Sequence, residues 1–77
     1  MTSAYVLVQT NPGAVETIVA EMGDFDQVEF VDAVTGPYDA IVAVGGGLEE
    51  VEPVREKLAT IDNVTRTLTC PAGSLPR

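Results

Sequence analysis

The spacing of apolar residues switches between two periods along this chain, and the order of those switches limits the folds open to it. Some segments are short, apolar and rich in β-branched residues, and they stop at turns that contain glycine or proline, which is typical of strands. Two other segments repeat apolar residues at intervals of three and four, which indicates one face of a helix. The elements predicted in this way are strand 4–10, helix 15–22, strand 28–35, strand 40–44, helix 50–61 and strand 64–70.

Each predicted helix has one apolar face and a residue that marks one of its ends. Gly23 suits the C-terminal end of the first helix, where glycine is common. Pro53 fits a helix only in the first turn, where backbone N–H groups have no partner within the helix, so the second helix begins near Glu50. The apolar faces consist of Val15, Ile18, Val19 and Met22 in the first helix and of Val51, Val54, Leu58 and Ile61 in the second.

The order strand–helix–strand–strand–helix–strand predicts an α+β fold, the ferredoxin-like βαββαβ plait. Its four-stranded antiparallel sheet would have the strand order 4-1-3-2 and carry both helices on one face. The first and third strands would then be central, and both are apolar on each side, whereas the outer strands carry more polar residues. Residues 1–70 form the predicted domain and residues 71–77 a tail. On the fourth strand, Val64, Leu68 and Cys70 are predicted to share one side, and Thr65, Thr67 and Thr69 the other.

The second face of the predicted sheet would be exposed to solvent in a monomer. The chain has 77 residues, and a domain of this size buries about 60% of the surface that its unfolded form exposes, so its own core is small. The central strands nevertheless offer apolar side chains on the face that the helices leave uncovered, and such a face is typical of an association surface. The sequence therefore predicts a homodimer in which two sheets meet face to face.

The charged and sulfur-containing residues exclude several classes of function. Twelve acidic residues stand against four basic ones, which argues against nucleic-acid binding, since phosphate contacts depend on Lys and Arg. The chain has no histidine, and its single cysteine, Cys70, has no basic neighbour closer than Arg66, so no metal site, cofactor or catalytic residue is predicted. The sequence has neither a signal peptide nor an apolar run long enough to cross a membrane, and the expected location is the cytoplasm.

Two further segments suggest a phosphate site and a cation site, but their residues favour neither. The glycines at 45–47 precede a helix, but a phosphate-binding loop requires Lys and Ser or Thr next, and this chain has Leu48, Glu49 and Glu50. The glutamates at the start of the second helix could attract a divalent cation, but carboxylates there are commonly solvated and favoured by the helix dipole.

The segment 35–39 between the second and third strands is the most informative turn. Gly36 tolerates the conformations to which a residue before proline is restricted, and Pro37 stiffens the turn. One interpretation is a tight hairpin in which Tyr38 covers the sheet edge and Asp39 accepts hydrogen bonds from backbone N–H groups. The other is a clamp for a zwitterion, in which the carboxylate faces an α-amino group. The threonines of the fourth strand likewise reflect either β-propensity or a row of hydroxyls that faces a ligand or a partner chain.

The segments 5–8, 34–39 and 64–69, with the spacing between them, resemble the effector-binding domain of the Lrp/AsnC transcription regulators, called RAM for regulation of amino-acid metabolism. The resemblance covers residues 4–70 and implies the fold predicted above. It also implies dimers formed through the sheets, rings that are typically tetramers of dimers, and binding of amino acids or related metabolites between dimers. The effector-binding residues that it implies are Gly36, Tyr38, Asp39, Thr67 and Thr69.

The resemblance implies a non-catalytic, oligomeric amino-acid sensor that modulates transcription by co-assembly with full-length Lrp/AsnC regulators. Those regulators carry an N-terminal helix-turn-helix domain and nothing precedes Met1 here, so a stand-alone domain without direct DNA binding is expected. Pro37 occupies a position that varies in the family, which leaves the ligand open. One alternative is a dimeric αβ-barrel enzyme such as a cofactor-independent monooxygenase, although a pocket without His or Trp would be poorly equipped. A second alternative is an assembly modifier whose pocket is empty.

Overall fold

A computed structural model describes residues 2–72 of the chain. Its elements follow the predicted order βαββαβ, with a short 3-10 turn before the second helix. The elements are β1 (Thr2–Thr10), α1 (Val15–Met22), β2 (Val28–Ala33), β3 (Ala40–Gly45), the 3-10 turn (Leu48–Glu50), α2 (Val51–Ala59) and β4 (Val64–Pro71).

The four strands form one antiparallel sheet in the order β2-β3-β1-β4. This is the predicted order 4-1-3-2 seen from the other edge, and the prediction is confirmed. The central strands β1 and β3 pair with each other along most of their length, while β2 and β4 form the two edges.

One face of the sheet carries both helices and forms the core. Directly paired residues of antiparallel strands point to the same side of a sheet. Val6 pairs with Val42 and Val8 pairs with Ala40, so these four side chains share one face. These side chains are buried together with residues of both helices, because each helix turns its apolar face toward them. The core consists of Ala4, Val6, Val8, Ile18, Met22, Ala40, Val42, Val44, Val51, Val54 and Leu58.

We call the opposite side of the sheet the helix-free face. It is mostly apolar at its centre, as predicted, because the alternate residues of both central strands are apolar too. Phe30 and Leu68, on the two edge strands, are 44% and 46% exposed. The face consists of Tyr5, Leu7, Gln9, Phe30, Asp32, Ile41, Ala43, Arg66, Leu68 and Cys70.

Helix α1 confirms its predicted apolar face at three positions and departs from it at a fourth. Ile18 and Met22 lie four residues apart, point toward the sheet and are buried, and Val15 packs against the core. Val19 is 47% exposed, because α1 packs against β2 and β3 and this residue lies on the flank of the helix. The predicted apolar face of α1 therefore packs against the core at three of its four positions.

Helix α2 contains Pro53 in its first turn, as predicted. It ends at Ala59 rather than at residue 61, where the Thr60 N–H bonds to the carbonyl of Lys57, three residues back, and tightens the last turn. The Thr60 hydroxyl donates to the same carbonyl at 2.7 Å. Ile61 lies beyond the helix and still packs against the core.

The edge strand β4 departs from the predicted alternation at one point. Its register against β1 shifts between Gln9 and Thr10, so that Thr65 is an extra residue in a β-bulge. Because of this bulge Val64 packs against the core, whereas Leu68 lies on the helix-free face. The prediction that these two residues share a side of the strand was wrong.

Several strand boundaries also differ from the sequence prediction: β1 begins at residue 2 rather than residue 4, and β3 ends at residue 45 rather than residue 44. β2 ends at Ala33, two residues early, because the chain turns into the hairpin there. Pro71 belongs to β4, and the N–H of Ala72 donates to the Ser3 carbonyl at 2.8 Å, while residues 73–77 of the predicted tail lie outside the described residues. Over residues 2–72, neither helix has the length and apolar character needed to cross a membrane.

Candidate ligand-binding hairpin

The hairpin that joins β2 to β3, residues 34–39, is closed at its base by a hydrogen bond from the Val34 N–H to the Asp39 carbonyl, 2.9 Å. Gly36 has a φ of 126°, a conformation that residues with a side chain rarely adopt. A Cβ at this position would meet no atom within 4 Å, so the backbone angle rather than crowding requires glycine. Pro37 fixes its own φ next to it. The hairpin therefore has a glycine-dependent bend followed by a rigid residue.

Asp39 attaches the hairpin to β1 through its backbone and its side chain. Its N–H donates to the carbonyl of Val8 at 2.8 Å, and its carboxylate oxygen Oδ2 accepts from the N–H of Thr10 at 2.9 Å. The last pair of the β1–β3 ladder is Val8 with Ala40, so the carboxylate takes the place of the next backbone acceptor. This is the backbone-capping role that the sequence allowed. The second oxygen, Oδ1, accepts no hydrogen bond from residues 2–72.

Tyr38 stands immediately before Asp39 and is half-buried. Its hydroxyl makes no hydrogen bond with any described residue. The carbonyl of the preceding Pro37 accepts a hydrogen bond from Gln9 Nε2 at 3.0 Å, so the peptide that joins Pro37 to Tyr38 is held from β1. The Tyr38 phenol and the second carboxylate oxygen of Asp39 thus remain available to a group from outside the chain.

Thr67 and Thr69 lie on β4, on the same side of the sheet as the helices. Thr67 pairs with Val8 and Thr69 with Val6, both of which belong to the core. The Thr69 hydroxyl oxygen is buried, and it has no hydrogen-bond partner among the described residues. The two threonines therefore face α2 rather than the helix-free face.

A single chain brings three of the five predicted site residues together and separates the other two from them. Gly36, Tyr38 and Asp39 share the hairpin, whereas Thr67 and Thr69 lie beyond β1, roughly 9–10 Å away for two strand spacings. Residues 2–72 of one chain form no pocket between the two groups. The hairpin can offer a carboxylate oxygen and a phenolic hydroxyl to a ligand that approaches from outside the chain.

The other sequence features lie away from the hairpin. Cys70 is half-buried on the helix-free face, where it pairs with Tyr5. No group of His, Cys, Asp or Glu side chains within residues 2–72 has the arrangement of a metal site. The groups with shifted titration are exposed: a hydrogen bond from the Thr2 hydroxyl lowers the pKa of Glu29, and Arg55 lowers the pKa of Glu52 by donating to its carboxylate.

Gln9 is a residue of this region that the sequence analysis did not single out. Its side-chain amide lies between the hairpin and the start of β4 and contacts both. The nitrogen donates to Pro37, as described above, and the Thr65 hydroxyl donates to the Gln9 backbone carbonyl at 3.1 Å and lies 3.3 Å from Oε1. The only sequence signal for a role of Gln9 is that a polar residue follows the apolar residues of the strand. Many strands end in this way.

The sequence of this chain is similar to a known family and to one of its curated relatives. The family model of the Lrp/AsnC ligand binding domain matches residues 3–74. An uncharacterised HTH-type transcriptional regulator of Pyrococcus horikoshii, PH0140, is 34% identical over 68 residues, which cover 86% of this chain and 43% of that protein. The chain therefore spans less than half the length of this curated relative.

Solved structures share the fold. The crystal structure of TTHA0845 from Thermus thermophilus superposes with a TM-score of 0.83 at 31% identity, and the match covers 100% of both chains. The structure of E. coli AsnC superposes with a TM-score of 0.79 at 19% identity over 99% of this chain and 53% of that one, which bears on the fold alone. With the family match over almost its whole length, this chain belongs to the Lrp/AsnC ligand-binding domain family.

Proposed function

We propose that this chain is a non-catalytic sensor of an amino acid or a related small metabolite, and that it works as an oligomer. The observation that carries the proposal is the divided use of the Asp39 carboxylate. One oxygen anchors the hairpin through the Thr10 N–H, and the other accepts no hydrogen bond within the described residues. A carboxylate held in place with one oxygen unused is suited to an α-amino group, because charge-assisted hydrogen bonds are about twice as strong as neutral ones.

The ligand site is proposed to lie between chains. Gly36 and Pro37 are exposed, so the hairpin can meet a second subunit, and the threonines of β4 are too far from the hairpin of their own chain to share its ligand. Thr67 would then complete a site together with the hairpin of a neighbouring chain, and Thr69 would join it if assembly exposes its hydroxyl, which is buried in a single chain. This geometry requires β4 of one chain to approach Tyr38 of another.

The oligomer is proposed to begin with a dimer formed through the helix-free face. The exposed Phe30 and Leu68 and the apolar centre of this face support it, since large exposed apolar patches mark association surfaces. A ligand bound between such dimers would shift their assembly only by its difference in affinity for the separate and assembled forms. Assemblies up to a tetramer of dimers are part of the proposal.

The output is proposed to be transcriptional. A relative is named as a transcriptional regulator, and this chain aligns with 43% of it, which supports a role in transcription. Co-assembly with full-length Lrp/AsnC proteins in the cytoplasm is the form of that role that we propose. The acidic chain, with twelve acidic and four basic residues, would not contact DNA itself.

Two substitutions of Asp39 test the sensor function and separate the two roles of the carboxylate. Asp39→Asn keeps an oxygen that can accept from the Thr10 N–H but removes the negative charge, and Asp39→Ala removes both. We expect thermal unfolding with each common amino acid at millimolar concentration to show a rise in Tm for the wild type, since a ligand at 100 times its Kd adds about 2.7 kcal/mol. Both variants should lose this rise.

The unliganded variants provide the control. We expect Asp39→Ala to be destabilised by about 1–3 kcal/mol, because a partly buried hydrogen bond to a charged acceptor is lost, and Asp39→Asn to stay close to the wild type. A full ligand response in Asp39→Asn would refute the α-amino contact. A wild type whose Tm and oligomer size respond to no amino acid would favour the assembly modifier, and oxygen consumption with quinols would favour the monooxygenase.

A further inference from the structure

The tip of the hairpin has few attachments to the rest of the chain. At its base, Val34 and Asp39 are joined by a backbone hydrogen bond, and Asp39 is fixed to β1. Within residues 2–72, the hydrogen bond from Gln9 Nε2 to the Pro37 carbonyl, 3.0 Å, is the one that reaches residues 35–38. The Pro37 carbonyl and the Tyr38 N–H belong to one planar peptide, so this bond also restrains the position of the Tyr38 Cα, from which the side chain leaves the backbone.

Gln9 is itself held from the other side. The Thr65 hydroxyl lies within hydrogen-bond distance of the Gln9 carbonyl oxygen and of its side-chain Oε1, 3.1 and 3.3 Å. A glutamine amide presents an acceptor and a donor at opposite ends of one rigid group, so fixing the oxygen on Thr65 aims the nitrogen at Pro37. These contacts run from β4 across β1 to the hairpin. Thr65 and Gln9 are separated by 56 positions in sequence, and Gln9 and Pro37 by 28.

The β-bulge of β4 explains why Thr65 can make this contact. The register shift between Gln9 and Thr10 leaves Thr65 as the additional residue, outside the regular alternation. Bulges redirect a side chain locally and are frequent next to functional sites. In a regular strand, residues 64 and 66 would share a side and the hydroxyl of residue 65 would point to the opposite one.

We propose that Gln9, oriented by Thr65, is a positioning residue that fixes the Pro37–Tyr38 peptide and thereby sets the affinity of the hairpin for its ligand. This inference rests on the proposed sensor function for its effect on affinity. Its effect on the hairpin itself does not depend on any ligand. Gln9 acts through the peptide and through Tyr38, and need not touch the ligand.

Substitutions at Gln9 test the first step in the unliganded protein. Gln9→Glu has the same shape and can still accept from Thr65, but it has no N–H to donate to Pro37, and Gln9→Met can make neither bond. We expect the NMR order parameter of the Tyr38 amide to fall from about 0.85, typical of rigid backbone, to below about 0.6 in both variants. The amides of Val34 and Asp39, which have their own backbone bonds, should keep their values. An unchanged Tyr38 value in Gln9→Met would overturn the proposal.

Thr65 provides a matched pair for the second step. Thr65→Val removes the hydroxyl without changing the shape and should lower the Tyr38 order parameter by less than Gln9→Met does, whereas Thr65→Ser keeps the hydroxyl and should restore the wild-type value. Equal values in the Val and Ser variants would show that Thr65 does not orient Gln9.

The link to affinity is measured with the amino acid that gives the largest Tm rise in the wild type. We expect Gln9→Met to need at least about tenfold more of it for the same rise, with the unliganded Tm nearly unchanged because all these contacts are exposed. A looser Tyr38 amide with unchanged affinity would overturn the affinity step. If no amino acid shifts the wild type, the sensor function fails while the order parameters still decide the role of Gln9.

Discussion

The two faces of the sheet are built from the same strands but reach very different degrees of burial. On the helix-covered face, Val6 and Val8 of β1 are fully buried beneath α1 and α2. On the helix-free face, their neighbours Tyr5 and Leu7 are only half-buried, and Leu68 of the edge strand is 46% exposed. The central strands carry apolar residues on both sides, so the difference in burial comes chiefly from the helices that cover one face.

This comparison indicates what each face contributes. The covered face can stabilise a single chain, because its apolar groups leave water when that chain folds. The helix-free face gains the corresponding free energy, about 25 cal/mol for each Å² of apolar surface, only when a second surface covers it. A single chain buries little of this face: the small Ala43 is fully buried by its own chain, whereas the larger Phe30 beside it is not.

The largest expected effect on stability comes from shortening a side chain in the core. The same substitution on the helix-free face provides the comparison. Leu58→Ala, in the fully buried part of α2, should lower the free energy of unfolding by about 2–5 kcal/mol, because a cavity remains where the side chain was. Leu68→Ala should cost less than about 1 kcal/mol in protein dilute enough to be monomeric. Urea unfolding followed by circular dichroism measures both.

Similar losses in the two alanine variants would show that the covered and helix-free faces do not differ as the burial indicates. The comparison has to be made at low concentration, since a dimer would bury Leu68 and add its own free energy to the measured value.

A charge placed on each side of the molecule tests the proposed dimer. Leu68→Lys adds an ammonium group to the helix-free face, and Val19→Lys adds one to a residue of α1 that is exposed to nearly the same extent, 47%. We expect Leu68→Lys to weaken dimerisation at least about tenfold, equivalent to about 1.4 kcal/mol, and Val19→Lys to leave it unchanged. Sedimentation equilibrium gives the dissociation constants.

The two lysine variants also distinguish a different mode of association. If Val19→Lys dissociates the dimer and Leu68→Lys does not, the helices and not the sheets form the interface. A wild type that stays monomeric at all concentrations would refute a sheet-to-sheet dimer altogether.

The fold could be predicted from the sequence because its signals are local and periodic. The helix intervals around Ile18 and Leu58, and the apolar alternation of β1 and β3, act over a few residues. Together they predict the βαββαβ plait, which implies the strand order, and the polar content of the outer strands agrees with it. Val19 shows where this stops, since a periodic pattern gives the apolar face of a helix but not how much of that face the sheet can cover.

The arrangement of the candidate site could be predicted only in part. The turn at Gly36 was evident from residue types, but whether Asp39 caps a backbone group or remains free depends on where the β1–β3 ladder ends. The contacts of Gln9 depend on the bulge at Thr65, which joins positions 56 residues apart, and no alternation within one strand reveals such a register shift.

The smallest expected effect concerns Thr69 of β4. It is a polar residue at a helix-covered position, and its hydroxyl is buried without a partner among the described residues. Thr69→Val replaces the hydroxyl by a methyl group of the same shape, so the desolvation cost of an unpaired polar group disappears. We expect the free energy of unfolding to rise by about 1 kcal/mol, measured by urea unfolding.

Thr67→Val serves as the matched control for this prediction. Its hydroxyl also lies on the helix side of β4 but is not among the buried unpaired groups, so its removal should change stability by less than about 0.5 kcal/mol. A loss of stability in Thr69→Val would mean that the hydroxyl has a hydrogen-bond partner in the folded protein. A gain in stability accompanied by loss of the amino-acid response would instead indicate that the unpaired hydroxyl is retained at a cost to stability because the ligand uses it.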